Sequence, residues 1–225
     1  MLRLLALLAA CSVLPLAACG GGGHGHAERA ASATPAGTEP AGCRKVPDPG
    51  PKKEPRLAKP RTLLQPGKTY VATVSTNCGD FDITLDSRRA PRTGGSFAYL
   101  VGKGFYDGTT FHRIVPGFVI QGGDPKETGE GGPGYSVVET PPRNLTYTKG
   151  MVAMAKTQLE EAGTSGSQFF VVTADDAQLP PDYALLGKVT RGQDVVDRIG
   201  VQPTNSSTEK PVDPIVISSI KLNVR

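Results

Sequence analysis

Phe111-His112-Arg113-Ile114-Val115-Pro116-Gly117-Phe118-Val119-Ile120-Gln121-Gly122-Gly123-Asp124-Pro125 sets one fixed cation beside an apolar surface. That pairing suits a substrate that is half apolar ring and half carbonyl. Val115-Pro116-Gly117 punctuates two β-rich stretches, 110–115 and 118–121, so the run reads as strand, turn, strand. Alternate residues of a strand face the same way. His112 is therefore out of phase with Phe111 and Arg113, Phe118 and Ile120 share one face, and Val119 and Gln121 share the other. Arg113 and Gln121 are expected to point at one site from neighbouring strands.

Outward from this run the chain reads as mainly β with two helices. Residues 70–76 and 80–85 alternate apolar and polar around a Gly-containing turn, a hairpin pattern. Residues 91–101 read as a helix, with Pro91 in its first turn, an apolar stripe of Phe97, Leu100 and Val101, and Gly102 and Gly104 after it. Further strands are expected at 151–155, 168–173 and 185–189. A short helix at 194–199 turns Val195, Val196 and Ile199 inward, and an alternating strand at 215–222 completes the sheet. Two Gly- and Pro-punctuated or acidic segments, 128–143 and 157–165, read as loops. The latter carries Glu160 and Glu161, which would either select basic substrates or stand in solvent.

The first quarter has a different character. Met1-Leu2-Arg3 is a short cationic start and 4–18 is apolar and uncharged, which fits a secretory signal and is too short to span a membrane stably. Leu16-Ala17-Ala18-Cys19-Gly20 resembles a bacterial lipobox, which would make Cys19 the lipid-modified first residue of the mature chain; a plain cleaved signal is the alternative. Residues 1–18 are thus expected to be a lipoprotein signal peptide. Residues 19–65 are rich in Gly, Ala, Pro, Lys and Arg and are expected to be a flexible tether, and residues 66–225 the folded domain. His24 and His26 would bind a transition metal weakly at best. With Cys11 in the signal and Cys19 acylated, Cys43 and Cys78 remain; a disulfide between them is the favoured reading and two separate thiols the alternative. An exported protein lipid-anchored on the extracytoplasmic face of a bacterial membrane follows.

The formal charge of +4 over 225 residues is mild and scattered outside 44–61, which argues against a nucleic-acid groove. There is no GxSxG and no HExxH, and His112 lacks a recognisable nucleophile partner. The glycines around Pro133 precede no helical pattern, so they do not read as a phosphate cradle. No metal or cofactor is expected.

The opening run resembles the signature of the cyclophilin-type peptidyl-prolyl cis-trans isomerases. Gly150-Met151-Val152-Ala153-Met154-Ala155 and Gly166-Ser167-Gln168-Phe169-Phe170-Val171 resemble that family's two other pocket-lining strands, in the same order. The resemblance covers roughly residues 68–224. It implies a closed eight-stranded antiparallel barrel capped by two helices, acting as a monomer on proline-containing polypeptides. It also implies roles: Arg113, Gln121 and Phe118 as catalytic residues, with His112, Val119, Met154, Ala155, Lys156, Gln168, Phe170, Leu179 and Tyr183 around the substrate. For Phe118, Val119, Phe170 and Leu179 a place in the core is the alternative reading. Lys156 stands where many members carry Asn and Tyr183 where many carry His. Gln178 stands where cyclosporin-sensitive members carry Trp, which implies weak affinity for that drug. A proline-binding chaperone that does not turn over substrate is the main rival function, and a purely structural envelope lipoprotein a third.

Overall fold

The structure is a computed structural model that describes residues 42–225. The signal segment, Cys19, His24, His26 and the tether up to residue 41 lie outside the described residues. No helix among the described residues is long and apolar enough to cross a membrane.

The elements in chain order are β1 (Tyr70–Thr76), β2 (Gly79–Leu85), α1 (Pro91–Gly102), β3 (Thr109–Thr110), β4 (Arg113–Val115), β5 (Val119–Gly122), β6 (Val137–Val138), β7 (Met151–Met154), β8 (Thr164–Ser165), β9 (Phe169–Val172), β10 (Leu185–Arg191), α2 (Gln193–Gly200) and β11 (Val216–Val224). Nine strands form one sheet in the order β3-β11-β1-β2-β10-β7-β9-β5-β4, and β6 pairs with β8 in a separate ribbon. Every paired ladder is antiparallel.

This corrects the expected closed eight-stranded barrel: the sheet is a curled, open antiparallel half-barrel of nine strands with two helices. The reason lies in the opening run. Its first strand does not continue through Phe111 and His112, so residues 109–115 supply two short strands, β3 and β4, at opposite ends of the strand order. An isolated bridge joins Thr110 of β3 to Asp124, just beyond β5. The interruption also breaks the expected alternation. Phe111 does not share a face with Arg113 but is fully buried, with its ring 5.8 Å from that of Phe169.

The core follows the period of the longer strands. Ala72, Val74, Phe81 and Ile83 face inward from β1 and β2 with no exposed surface. Phe97 of α1 joins the same core and packs against Tyr106 and Phe169, with ring centroids 5.0 and 5.9 Å away. The Tyr106 hydroxyl, which burial makes a far weaker acid than usual, donates to the Ser167 carbonyl at 3.0 Å. The N-terminus of α1 is capped from outside: Glu139, just after β6, accepts from the Arg92 and Thr93 amides at 3.1 and 2.7 Å. A carboxylate there satisfies orphan amides and matches the helix dipole.

Residues 42–65, the later part of the expected tether, are laid along the domain as an extended strap. Cys43 is joined to Cys78 by a disulfide. The Leu57 and Leu64 amides donate to the carbonyls of Pro133 and Pro91, and Leu64 is buried. Glu54 accepts from the Gly132 amide at 2.7 Å and pairs with Lys126 at 3.1 Å. A segment with few apolar residues docks here by packing Cys43, Leu57 and Leu64 against the core while Leu63 stays largely exposed, and its prolines favour the extended conformation that docking needs.

Candidate active site

β4 and β5 pair in the register Arg113↔Gln121, Ile114↔Ile120 and Val115↔Val119, so Arg113 and Gln121 stand directly opposite each other on one face. β9 pairs on the other side of β5, with Phe170 opposite Gln121. Alternation on β9 then sends Phe169 into the core and Phe170 to the same face as Arg113 and Gln121.

On that face lies a pocket of about 140 Å³. Phe118, Val119, Phe170, Leu179 and Tyr183 supply apolar wall, and Arg113, Gln121, Ala155 and Lys156 line the rest. Phe118 and Val119 both reach the pocket although strand alternation sets them on opposite faces. Phe118 precedes the strand, in the turn closed by its own amide on the Val115 carbonyl. Phe170 and Tyr183 meet edge-on at 5.4 Å. The Lys156 ammonium lies 5.8 Å over the Tyr183 ring and donates back to the carbonyls of Thr157 and Glu160.

The arginine is held in place by a polar chain. Its Nη1 donates to Gln121 Oε1 at 3.3 Å, Gln121 Nε2 donates to Gln168 Oε1 at 2.9 Å, and Gln168 Nε2 donates to the Gly131 carbonyl at 2.9 Å. Its Nε donates to Glu209 Oε2 at 2.5 Å. The side chain keeps 36% of its surface exposed, so the cation is available at the mouth of the pocket. A second cavity of about 330 Å³ shares Gln121, Ala155 and Lys156 with the first and adds Gln168, Glu160 and the loop 129–136. The strap contributes Glu54 to its wall.

Two expected pocket residues are elsewhere. Met154 is buried in the main core, because alternation along β7 directs it away from the groove while Ala153 packs behind Phe170. His112 is also buried, and neither ring nitrogen has a partner among the described residues. Gln168 faces the second cavity and reaches the first through Gln121. Glu161 lines neither cavity, and Leu159 beside it stands almost wholly in solvent.

Several residues at the site were not anticipated from sequence. Asp124 is fully buried and accepts from the amides of Lys126, Thr128, Gly129 and Gly131, which orders the loop that receives Gln168. An Asp before Pro with glycines beyond it is a turn signal that would have found this role. The Tyr147 hydroxyl donates to the Tyr183 carbonyl at 2.6 Å and accepts from the Tyr183 amide, fixing the pocket wall. Burial holds that hydroxyl well above the usual tyrosine pKa. Glu209 gave no sequence signal, being 96 positions from Arg113.

Residues 71–222 match the family model described as cyclophilin type peptidyl-prolyl cis-trans isomerase/CLD. The chain is 37% identical over 172 residues to peptidyl-prolyl cis-trans isomerase B of Streptomyces anulatus, a match spanning 68% of this chain and 97% of that protein. It is 36% identical over 176 residues to peptidyl-prolyl cis-trans isomerase A of Mycobacterium tuberculosis, spanning 70% and 94%. Among solved structures it resembles a cyclophilin type peptidyl-prolyl cis-trans isomerase of Cryptosporidium parvum crystallised in the presence of the dipeptide Ala-Pro. There the TM-score is 0.63 at 33% identity, over 68% of this chain and 98% of that one.

Proposed function

The chain belongs to the cyclophilin-type peptidyl-prolyl cis-trans isomerase family and is an isomerase enzyme, and from that premise we propose that it accelerates X–Pro rotation in exported or cell-envelope proteins, with Arg113 as the group that favours the twisted amide. The observation carrying this reading is the Arg113 guanidinium at the mouth of a pocket walled by Phe118, Val119, Phe170, Leu179 and Tyr183. The prolyl ring occupies the apolar wall, and Gln121 and the backbone at Ala155 and Lys156 hold the flanking peptide.

Amide resonance sets a barrier of about 18–20 kcal/mol to rotation, and uncatalysed X–Pro exchange takes tens to hundreds of seconds. Lowering that barrier requires only that the twisted amide bind better than either planar form. On twisting, the prolyl nitrogen becomes pyramidal and regains its lone pair. A guanidinium donates to that nitrogen or holds the prolyl carbonyl while the other side of the bond turns, with a planar fork that Lys lacks. The donors are preset by Gln121 and Glu209, so little reorganisation accompanies the rotation. No bond is made or broken and no proton needs to move.

The N-terminal address supports an envelope location: a cationic start, an apolar core and Cys19 in a lipobox-like context. Clients are then proline-containing polypeptides on the extracytoplasmic side, met by a lipid-anchored monomer. The test measures cis-to-trans exchange in an Ala-Pro peptide by the full chain and its Arg113→Ala variant. The parent is expected to accelerate exchange and the variant to lose at least 10-fold of kcat/KM with folding intact, on the scale of removing one transition-state donor. A folded parent without acceleration would overturn the catalytic reading. Cys19→Ser is expected to move the protein from the membrane to the soluble fraction.

A further inference from the structure

We propose that Glu209 is a positioning residue for the isomerisation, a carboxylate that fixes the Arg113 guanidinium so that its remaining donors face the proline pocket. The inference rests on Arg113 being the group that favours the twisted amide.

Three observations carry it. First, the contact is made to one edge of the guanidinium. Glu209 Oε2 accepts from Nε at 2.5 Å while Nη1 reaches Gln121, so two partners on different elements determine the plane of the fork. Among the described residues Nη2 has no hydrogen-bond partner, which leaves it for substrate. A surface arginine held by Gln121 alone could still turn about its last torsions; a second partner at Nε removes that freedom.

Second, Glu209 has an unfavourable backbone. Its φ is +59°, in the left-handed region that long non-glycine side chains rarely adopt. Glycine, or asparagine as in many turns, would suit that conformation better. Strain of this kind persists where the surroundings over-determine it, and it clusters at functional sites.

Third, the segment carrying Glu209 is braced on both sides. The Thr204↔Pro211 bridge closes it into a tight hairpin, and the Glu209 amide donates to the Asn205 carbonyl. The Asn205 side chain accepts from the Ser207 and Thr208 amides at its tip. The Ile114 amide, next to Arg113, donates to the Glu209 carbonyl at 2.9 Å. The neighbouring Lys210 pairs with Glu127 at 2.8 Å and lies 3.8 Å from Asp48 of the strap. Backbone and side chain of Glu209 thus grip two consecutive residues of β4.

The strained backbone allows a sharp test, because Glu209→Gly removes the carboxylate while relieving the conformation. On the full chain, Glu209→Gly is expected to keep or raise the thermal midpoint, lower kcat for an Ala-Pro peptide about 10-fold and leave KM within about twofold. Glu209→Gln, whose amide oxygen can still accept from Nε, is expected to recover part of the rate. In the Arg113→Ala background, Glu209→Gly is expected to cost nothing further. The Arg113 Nε–H resonance is expected to be protected from solvent exchange in the parent and to lose that protection in Glu209→Gly. Parent-like kcat in both Glu209 variants, a loss confined to KM, or a full additional loss in the Arg113→Ala background would overturn the inference. If Arg113→Ala itself retains the parent rate, the catalytic reading fails instead, and the two failures are distinguishable.

Discussion

His112 is the neighbour of Arg113 in sequence and its opposite in environment. Burial pushes its pKa below the ordinary value; Asp124 and Glu127 pull it back, and the Arg113 cation adds to the depression. The unfolded ring takes up a proton first as pH falls through about 6.5. The folded protein resists that protonation. Stability associated with this ring is therefore complete above about pH 6.5 and is lost as pH falls toward the lower folded value. The thermal midpoint of the parent is expected to drop on acidification from pH 7 to pH 5 more steeply than that of His112→Gln. Equal slopes in the two proteins would show that the ring does not contribute. Of the two residues, sequence pattern places Arg113 at one site with Gln121 on neighbouring strands, and the register of β4 and β5 sets the two opposite each other. Alternation sets His112 out of phase with Arg113, and it is the family resemblance that puts His112 beside the pocket; the structure buries it where the strand stops for two residues.

At the scale of elements, legibility tracked length. β1, β2, α1, α2 and β11 are long enough for a period to emerge, and their observed bounds lie within a few residues of those expected from pattern. β6 and β8 are two residues each and have no period to read; both fell within segments expected as loops. The Gly94-Gly95 pair inside α1 is locally a poor helical sequence, at about 1 kcal/mol each relative to Ala, and its reason lies in the strap. A Cβ on Gly94 would stand 2.3 Å from Leu64 Cδ1, and one on Gly95 2.2 Å from the Thr62 carbonyl oxygen. The two glycines are a seat for residues 62–64. Gly95→Ala is accordingly expected to favour the helix while unseating the strap. Trypsin cleavage after Lys53, Arg56 and Arg61 should then become several-fold faster with little change in the unfolding of the sheet. Cleavage at the parent rate would mean that the strap docks without this seat.

At the scale of the whole molecule, the main surprise is where the domain begins. Composition marks residues 42–65 as too polar to fold alone, and in the structure the segment is laid on a surface supplied by the rest of the chain. A sequence pattern cannot reveal such docking, because its partners, Pro91, Pro133, Gly132 and Cys78, are scattered over the chain. The curled sheet was legible as antiparallel β, while its strand count depended on the break at Phe111 and His112. The disulfide closes a loop between residues 35 apart, worth roughly 3–4 kcal/mol in the chain-entropy model. Replacing Cys43 and Cys78 with Ser is expected to lower the unfolding free energy by up to that amount, read as a lower denaturation midpoint at unchanged m. An unchanged midpoint would show that the strap's other contacts suffice.

The same bridge decides where mechanical load enters the fold. Cys78 lies between β1 and β2, and β1 is hydrogen-bonded along its length to β2 on one side and β11 on the other. Tension on the chain ahead of Cys43 therefore crosses the sulfur bond directly into the most extensively paired part of the sheet. Residues 44–65 become a slack branch that bears none of it. A pull from that side leaves Glu54 against the second cavity and Leu64 on its glycine seat. With the bridge reduced, the same pull would run through the strap and peel its anchors away in turn, beginning at the end nearest Arg44.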